Sequence, residues 1–336
     1  MGSRIVIRVD GSHQVGMGHV YRMMNLAEIL TEAGVESLTF CGRADEQVGT
    51  WLQKSKFNVK ILPYDAEVIA PLTACLHACG ANLLINDVLD TDVEYMAAVR
   101  PADCAIVNFD DAGPGRHLAD CRINALPSKI MSEEQDNHIY QGPNYLLLGA
   151  EFSPTAANRI RGESLNSLLV TLGGSDTYGN TLAVVAALQS FESLPPAHII
   201  TGPAFRHHDE LHALLAGDKR FAVHTSVPRM AECMQQHDLA IVGGGIMLFE
   251  AAACALPTLS IASEDFERMN IQWAEDRGIT RFAAGGQPAS ADAIGAAARS
   301  LLENAEERRA MSELGPKVVD GRGGQRVAQI IKGLCN

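Results

Sequence analysis

Short apolar runs alternate with longer helical periods along most of the chain, and this alternation limits the fold more than any other feature. The first run, Ile5–Val9, precedes apolar residues at helical spacing from Val20 to Leu30, and Gly34 is placed to end that helix. Further strand-like runs are 38–41, 59–62, 83–85, 105–107, 168–171, 198–200, 239–242 and 258–261. Apolar strands separated by helices are typical of parallel sheets, so the pattern predicts an α/β fold built from βαβ units.

The alternation fades between residues 110 and 165, where glycine and proline are frequent, and it restarts at Leu168. A chain of 336 residues suits about two domains. We therefore predict one α/β domain over residues 1–155 and a second over residues 156–336. Two helical stretches are expected to end the chain, at about 289–303 and 306–333, with a break in the second near Gly315 and Pro316.

The composition excludes several classes of protein. The chain has 27 Lys and Arg against 40 Asp and Glu, a net charge of -13, whereas nucleic-acid binding as a main function needs a basic face. The eight cysteines are scattered and form no C-x-x-C pair, which argues against a disulfide framework or a thiolate zinc site. We see no secretory leader and no run of 18 apolar residues, so we predict a cytoplasmic protein without a membrane span.

The loop after the first strand is the first candidate site. It runs from Asp10 to His19 and contains Gly16 and Gly18, and ligands of open α/β sheets bind beyond the carboxyl ends of the strands. The glycines allow the backbone to approach a ligand closely. His19 is a candidate general base, because the dipole of the helix it begins disfavours a positive charge there. Arg22, one turn further on, could hold an anion; the alternative is a structural loop capped by His19.

Two glycine-rich loops in the second half form the second candidate site. Bare backbone N–H groups at such turns and at a helix N-terminus bind phosphate oxygens. Glu250, one to two turns into the helix that follows, is a candidate acceptor for ribose hydroxyls. The alternatives are an ordinary turn capped by Ser175 or Asp176 and a solvent-facing Glu250. The loop residues are Gly173, Gly174, Ser175 and Asp176 after one strand, and Gly243, Gly244 and Gly245 after another.

Two further patterns on helices are weaker. Asn270 and Gln272 begin a helix and are candidates for contact with a sugar or phosphate, although such residues are more often plain surface. His208 and His212 have the i, i+4 spacing of metal ligands. The residue after His208 is Asp rather than the Glu of a zincin, so we favour a solvated helix and predict no metal site.

Acidic residues follow two strands of the first half. Asp110 and Asp111 could bind a cation, but a turn that ends the strand is the favoured interpretation. Asp87, Asp90 and Asp92 are expected to cap a helix.

The glycine-containing segments resemble the signatures of one family. Arg8–Ser12 with Gly16–Arg22 resembles the N-terminal signature of the UDP-sugar hydrolases of the pseudaminic acid pathway and of the related spore-coat polysaccharide proteins. Leu172–Asp176 is similar to their second signature, and Gly243–Gly245 with Glu250 is similar to their third. The segments occur in the same order, and the resemblance covers essentially the whole chain.

The resemblance implies a GT-B fold, with two Rossmann-like domains and an interdomain cleft, similar to the MurG-type glycosyltransferases. It implies that the second domain binds the nucleotide diphosphate of a small-molecule nucleotide sugar, a UDP-linked amino or acetamido deoxy sugar of nonulosonic acid or surface polysaccharide biosynthesis. His19 would activate water to release UDP with inversion, and Asp10 would orient the loop or the imidazole. No cofactor or metal is implied.

One segment departs from the family pattern. Hydrolases of this family often carry Asp-His-Tyr at the end of an N-domain strand, and here the corresponding stretch, Ile85–Thr91, contains neither His nor Tyr. The second hypothesis is therefore a GT-B glycosyltransferase that passes the sugar to an acceptor other than water. A third is a non-catalytic protein that binds a nucleotide and associates with other sugar-biosynthesis enzymes.

Overall fold

A computed structural model of the chain describes residues 2–12, 18–88, 90–101, 103–130, 137–153, 160–161, 165–202 and 204–335. The chain divides into two compact units. Unit 1 consists of Met1–Ala150 with Arg322–Asn336, and unit 2 consists of Glu151–Gly321.

Unit 1 is built on a parallel sheet that has seven strands in the described residues. The strands are β1 (Arg4–Val9), β2 (Ser37–Arg43), β3 (Asn58–Leu62), β4 (Leu83–Asp87), β5 (Ala105–Phe109), β6 (Cys121–Asn124) and β7 (Ile139–Gln141). The helices are α1 (Gly18–Glu32), α2 (Glu46–Gln53), α3 (Ile69–Cys79), α4 (Val93–Ala98) and, from the end of the chain, α12 (Gly323–Leu334).

Unit 2 repeats the architecture on a parallel sheet with six strands in its described part. The strands are β8 (Leu168–Thr171), β9 (Ala197–Ile200), β10 (Phe221–His224), β11 (Leu239–Gly243), β12 (Thr258–Ala262) and β13 (Arg281–Gly285). The helices are α5 (Asn180–Gln189), α6 (His208–Leu214), α7 (Met230–Gln235), α8 (Ile246–Ala253), α9 (Asp265–Glu275), α10 (Ala291–Glu303) and α11 (Ala305–Val318).

The strand order places a topological switch point in each sheet. The first sheet has the order β3-β2-β1-β4-β5-β6-β7, and the second has the order β10-β9-β8-β11-β12-β13. The chain builds outward in one direction from β1 and then in the other from β4, and it does the same from β8 and β11. Loops that follow the two central strands of such a sheet leave an opening where ligands bind. The sequence singles out three of these loops, those that follow β1, β8 and β11.

All nine strands predicted from apolar runs are present, as β1 to β5, β8, β9, β11 and β12. No apolar run in the sequence predicted β6, β7, β10 or β13. Three of these lie toward the sheet edges with half-buried side chains, and β6 alternates Cys and Ile with Arg and Asn. Without a continuous apolar run they carry no strand signal.

The sheet of unit 1 is covered on both faces. Ile7 of β1 packs with Met23 and Leu26 of α1 in one cluster, whereas Val6 packs with Leu72 of α3 in another. Neighbouring residues of one strand point to opposite faces, so Val6 and Ile7 separate onto the two sides. Burial on both faces explains why these strands read as unbroken apolar runs.

The last helix belongs to unit 1, which corrects the prediction that residues 156–336 form the second domain. Val327 and Ile331 of α12 are fully buried among residues of β1 and α1. The predicted break in the last helical stretch is present but lies a few residues later than Gly315 and Pro316, because α11 continues to Val318 and α12 begins at Gly323. In the described residues we find no helix that has both the length and the apolar character of a membrane span.

Candidate functional site

His19 lies at the switch point of unit 1 and is held by a carboxylate from the neighbouring strand. α1 begins at Gly18, so His19 is in its first turn, as predicted. Its Nδ1 lies 2.8 Å from Oδ1 of Asp87, the last residue of β4, and its side chain is 25% exposed. A carboxylate only accepts hydrogen bonds, so Nδ1 carries the proton and Nε2 keeps a lone pair. Gly16 lies outside the described residues.

Asp87 does not cap a helix, contrary to the prediction. It is fully buried, and besides His19 it accepts a hydrogen bond from Arg22 Nε at 2.6 Å and another from Arg22 Nη2. Burial raises the pKa of this carboxyl, but the charges and hydrogen bonds of Arg22 and His19 outweigh burial and hold the pKa below its usual value. Of the three predicted capping residues, Asp92 does cap α4 by accepting the Tyr95 N–H at 2.7 Å.

Arg22 is an internal residue rather than a substrate-binding one, which corrects its predicted role. Its side chain is 7% exposed, and its guanidinium is paired with Asp87 on one side and with Asp110 on the other. A guanidinium that is enclosed by two carboxylates has little free surface for a ligand anion. The prediction placed Arg22 on the correct face of α1 but did not foresee that this face points into the unit.

Asp10 is paired with two arginines and not with the imidazole, one of the two groups that the resemblance implied it would orient. Its carboxylate accepts hydrogen bonds from Arg8, at 2.8 Å for Nη2, and from the backbone and guanidinium of Arg43, at 2.7 and 2.8 Å. Burial raises the pKa of Asp10, but the bonds and charge of Arg8, followed by the bonds of Arg43, outweigh burial and lower the pKa. Asp10 therefore joins β1 to β2, and the imidazole of His19 is oriented by Asp87 instead.

A cavity of about 400 Å³ opens in unit 1 beside this cluster, and His19 and Asp10 line it. One part of its wall is apolar and another part is polar, which suits a ligand with both kinds of surface. Arg8, Arg43, Tyr64 and Tyr95 belong to the polar part, and Val68, Ile69 and Val88 to the apolar part. Tyr95 donates its hydroxyl proton to Asn86 at 2.8 Å, so a buried amide fixes this ring.

In unit 2 the two glycine loops lie side by side, as predicted from their positions at strand ends. They follow β8 and β11, which are paired, parallel neighbours. A side chain on Gly243 would lie 3.5 Å from the carbonyl oxygen of Leu172, so the loops are in direct contact. Gly173 has a φ of 93°, which favours glycine, and space is open beside its α-carbon.

Asp176 and Ser175 have different roles in the first loop of unit 2. Asp176 accepts the backbone N–H groups of Asn180 and Thr181 at 2.9 and 2.8 Å, so it caps α5 and is not free for a ligand. The hydroxyl of Ser175 is half-buried and accepts a 3.3 Å hydrogen bond from Thr177. Its own proton remains available for a ligand.

The second loop is held from behind by α9. Asn270 is fully buried and donates to the carbonyl oxygen of Gly244 at 3.0 Å, so its role is to position the loop and not to touch a sugar as predicted. Gln272 is exposed, and its side chain bonds to Arg268 and Asp276 on its own helix. Glu267, which the sequence analysis missed, packs against Gly244 and accepts the Ser263 N–H at 2.7 Å.

Glu250 lies on α8, one turn beyond the second loop, and is half-buried. Burial, with a smaller contribution from the charge of Glu151, raises the pKa of Glu250 to about 8. A carboxyl group with such a pKa is mostly protonated at pH 7, so it can both donate and accept a hydrogen bond.

Asp110 and Asp111, which follow β5, have structural partners. Asp111 accepts hydrogen bonds from the backbone and side chain of Thr91 at 2.9 and 2.6 Å, and Asp110 is paired with Arg22. In the described part of the chain, no group of three or more His, Cys, Asp or Glu side chains has an arrangement that could hold a metal ion.

Comparisons with known proteins agree with this architecture. No family model matches the chain. An uncharacterized protein of Methanocaldococcus jannaschii is 27% identical over 278 residues, which are 79% of this chain but only 57% of that protein's length. The spore coat polysaccharide biosynthesis protein SpsG of Bacillus subtilis is 25% identical over 98% of this chain and 97% of its own. The crystal structure of MurG from Acinetobacter baumannii superimposes with a TM-score of 0.70 at 14% identity, covering 98% of this chain and 99% of that one.

The fold is GT-B. This confirms the predicted fold class of two Rossmann-like units. The GT-B fold does not by itself assign the reaction, because one fold carries many chemistries. The assignment therefore depends on the side chains at the two switch points.

Proposed function

We propose that this chain is a nucleotide-sugar enzyme that hydrolyses a UDP-linked amino or acetamido deoxy sugar, with His19 as the general base. The observation that carries the proposal is the Asp87–His19 pair at the switch point of unit 1, on the wall of a cavity. An imidazole whose Nδ1–H is held by a buried carboxylate keeps the Nε2 lone pair that a general base needs.

The reaction is a single displacement at the anomeric carbon. Nε2 of His19 takes a proton from water while the water oxygen bonds to that carbon. The bond from the carbon to the diphosphate oxygen breaks on the opposite side, so the carbon is inverted and UDP leaves with the electron pair. Asp87 stabilises the imidazolium that forms, since its ionised carboxylate lies 2.8 Å from Nδ1.

Unit 2 supplies the nucleotide contacts in this proposal. The backbone N–H groups of the two glycine loops and the Ser175 hydroxyl bind the diphosphate and stabilise the charge that develops on it. Glu250 bonds to ribose hydroxyls. Its neutral form at moderate pH lowers the repulsion that a carboxylate would exert on the diphosphate.

The similarity to SpsG over nearly the full length of both proteins supports a role in polysaccharide biosynthesis. It supports the coarser part of the proposal, a GT-B enzyme that uses a nucleotide sugar, more strongly than it supports hydrolysis.

The test is UDP release from a panel of UDP-sugars by the wild type, His19→Ala and His77→Ala. His77 is an exposed histidine on α3 of the same unit, so it controls for the loss of an imidazole. We expect release by the wild type and by His77→Ala, and a decrease of about 10²- to 10⁴-fold in His19→Ala. No release by the wild type with any sugar in water would overturn hydrolysis.

A glycosyltransferase is the second candidate, and the segment at the end of β4 favours it. Residues 85–91 contain neither His nor Tyr, whereas hydrolases of the resembled family often carry Asp-His-Tyr at the end of an N-domain strand, and Val88 of this segment lines the cavity. In that case UDP release is slow in water and rises strongly with an acceptor alcohol, whose hydroxyl proton His19 would take. NMR analysis of the sugar product distinguishes the free sugar, a glycoside and an epimerised UDP-sugar.

A further inference from the structure

Four side chains form a continuous buried charge chain that ends at the imidazole. Asp110 pairs with Nη1 of Arg22, Arg22 pairs through Nε and Nη2 with Asp87, and Asp87 binds Nδ1 of His19. The side chains of Asp110, Arg22 and Asp87 are 3%, 7% and 0% exposed. His19 and Asp87 line the cavity, whereas Arg22 and Asp110 are not among its lining residues. The proposed mechanism uses Asp87 and His19 but assigns nothing to Asp110.

Asp110 has a backbone conformation that few types of residue adopt. Its φ is 49°, in the left-handed region that L-residues other than Asn and Asp rarely adopt. Its Oδ2 faces Arg22, and its Oδ1 accepts the Leu126 N–H at 3.2 Å. The backbone at the end of β5 is therefore bent to bring a second carboxylate to a guanidinium that already has one.

Counting charges shows what that second carboxylate does. With neutral His19, the chain of Asp110, Arg22 and Asp87 has a net charge of -1, and protonation of His19 brings the total to zero. Without the charge on Asp110 the first three groups are neutral, and protonation of His19 leaves an uncompensated positive charge in a poorly solvated site. In addition, Arg22 would then pair with Asp87 alone, so Asp87 would bind the imidazole proton less strongly.

We propose that Asp110 is a positioning residue that acts through Arg22 and Asp87 to make His19 a stronger proton acceptor. The inference rests on the proposed function, in which His19 is the general base. Other charged or titratable groups also face the cavity that His19 lines, and their fields are common to the wild type and the variants. They are Arg8 and Asp10 of β1, Arg43 of β2, Glu67 before α3, Asp90 and Asp92 before α4, and Tyr64 and Tyr95.

The experiment is an NMR titration of the His19 ring in protein labelled at histidine, with the signal assigned by its loss in His19→Gln. Asp110→Asn removes the charge and keeps a residue that tolerates positive φ. Asp110→Gly is the second variant, because glycine adopts this φ freely. Asp111→Asn is the matched control, since Asp111 is equally buried but bonds to Thr91 and not to Arg22.

We expect the titration midpoint of His19 to fall by about one pH unit in both Asp110 variants and by much less in Asp111→Asn. The acid limb of the pH–rate profile should move to lower pH by the same amount. A midpoint that is unchanged in a folded Asp110 variant, or that moves equally in Asp111→Asn, overturns the inference. A midpoint that moves as expected in a protein that releases no UDP would leave the charge chain intact and overturn the proposed function instead.

Discussion

Asp87→Asn is the substitution that tests most of this site at once. Asn has almost the same shape as Asp, but its NH₂ group cannot accept a hydrogen bond. The wild-type carboxylate accepts from His19 Nδ1 at 2.8 Å and from Arg22 Nε at 2.6 Å, with a further bond from Arg22 Nη2. The new NH₂ group has to face either the imidazole or the guanidinium, so at least one charge-assisted bond is lost.

The expected cost follows from burial. Removing one partner of a buried ion pair costs about 3–5 kcal/mol when the other charge is left alone. Here Asp110 still balances Arg22, so we expect Asp87→Asn to lower the free energy of unfolding by about 2–4 kcal/mol. The catalytic effect is larger. An NH₂ group facing Nδ1 stabilises the tautomer with the proton on Nε2, which removes the base and should slow turnover about 10²- to 10⁴-fold.

Two assays separate these effects. Urea unfolding gives the change in stability, and UDP release with the best substrate gives the change in rate at a temperature where the variant is folded. Asp120→Asn serves as the control, because Asp120 forms a half-exposed ion pair with Arg100 in the same unit and should change stability by less than about 1 kcal/mol. Turnover by Asp87→Asn within threefold of the wild type would refute the assignment of Asp87 as the partner of the base.

Three further predictions concern unit 2. Gly244→Ala would place a methyl group 2.7 Å from Cβ and the carbonyl oxygen of Glu267, so it should lower the free energy of unfolding by about 1–3 kcal/mol and weaken UDP binding. Gly245→Ala is the control, because its methyl group would meet nothing closer than 3.9 Å. Equal melting temperatures for the two variants would contradict this prediction. Glu250 has a pKa of about 8 against an ordinary 4.5, so between these values the folded protein holds a proton that the unfolded protein has lost. The free energy of unfolding therefore falls as the pH rises through this range, by at most about 1.4 kcal/mol per pH unit. Urea unfolding of Glu250→Gln at pH 6 and pH 8 should lack that slope. Arg161→Met removes the buried guanidinium that binds five backbone carbonyl oxygens at 2.7–3.2 Å. It should lower the free energy of unfolding in urea by about 3–5 kcal/mol. Arg229→Met is the control, because Arg229 forms an exposed ion pair and its loss should change stability by less than about 1 kcal/mol.

The pairing of Asp87 with His19 was not predicted from the sequence. The rule that ligands bind at the carboxyl ends of strands led to Asp10 and His19 after β1 and to the glycine loops after β8 and β11. The same rule applied to β4 would have suggested Asp87, which ends that strand. Its partner could not be found in this way, because pairing of His19 with Asp87 requires that β4 lie directly beside β1, and strand order is not visible in local periodicity.

Local pattern determined nine of the thirteen strands in the described residues, and where the glycine loops and His19 lie along the chain, because periodicity and turn chemistry act over a few residues. Tertiary structure decided which side chains meet. His19 pairs with Asp87, which is 68 residues away in sequence, and Arg22 pairs with Asp110, which is 88 residues away. That second pairing turns Arg22 from a predicted anion site into an internal charge. Side chains distant in sequence are brought together by strand order and by the burial of charge, which a low-dielectric interior permits only in compensated groups.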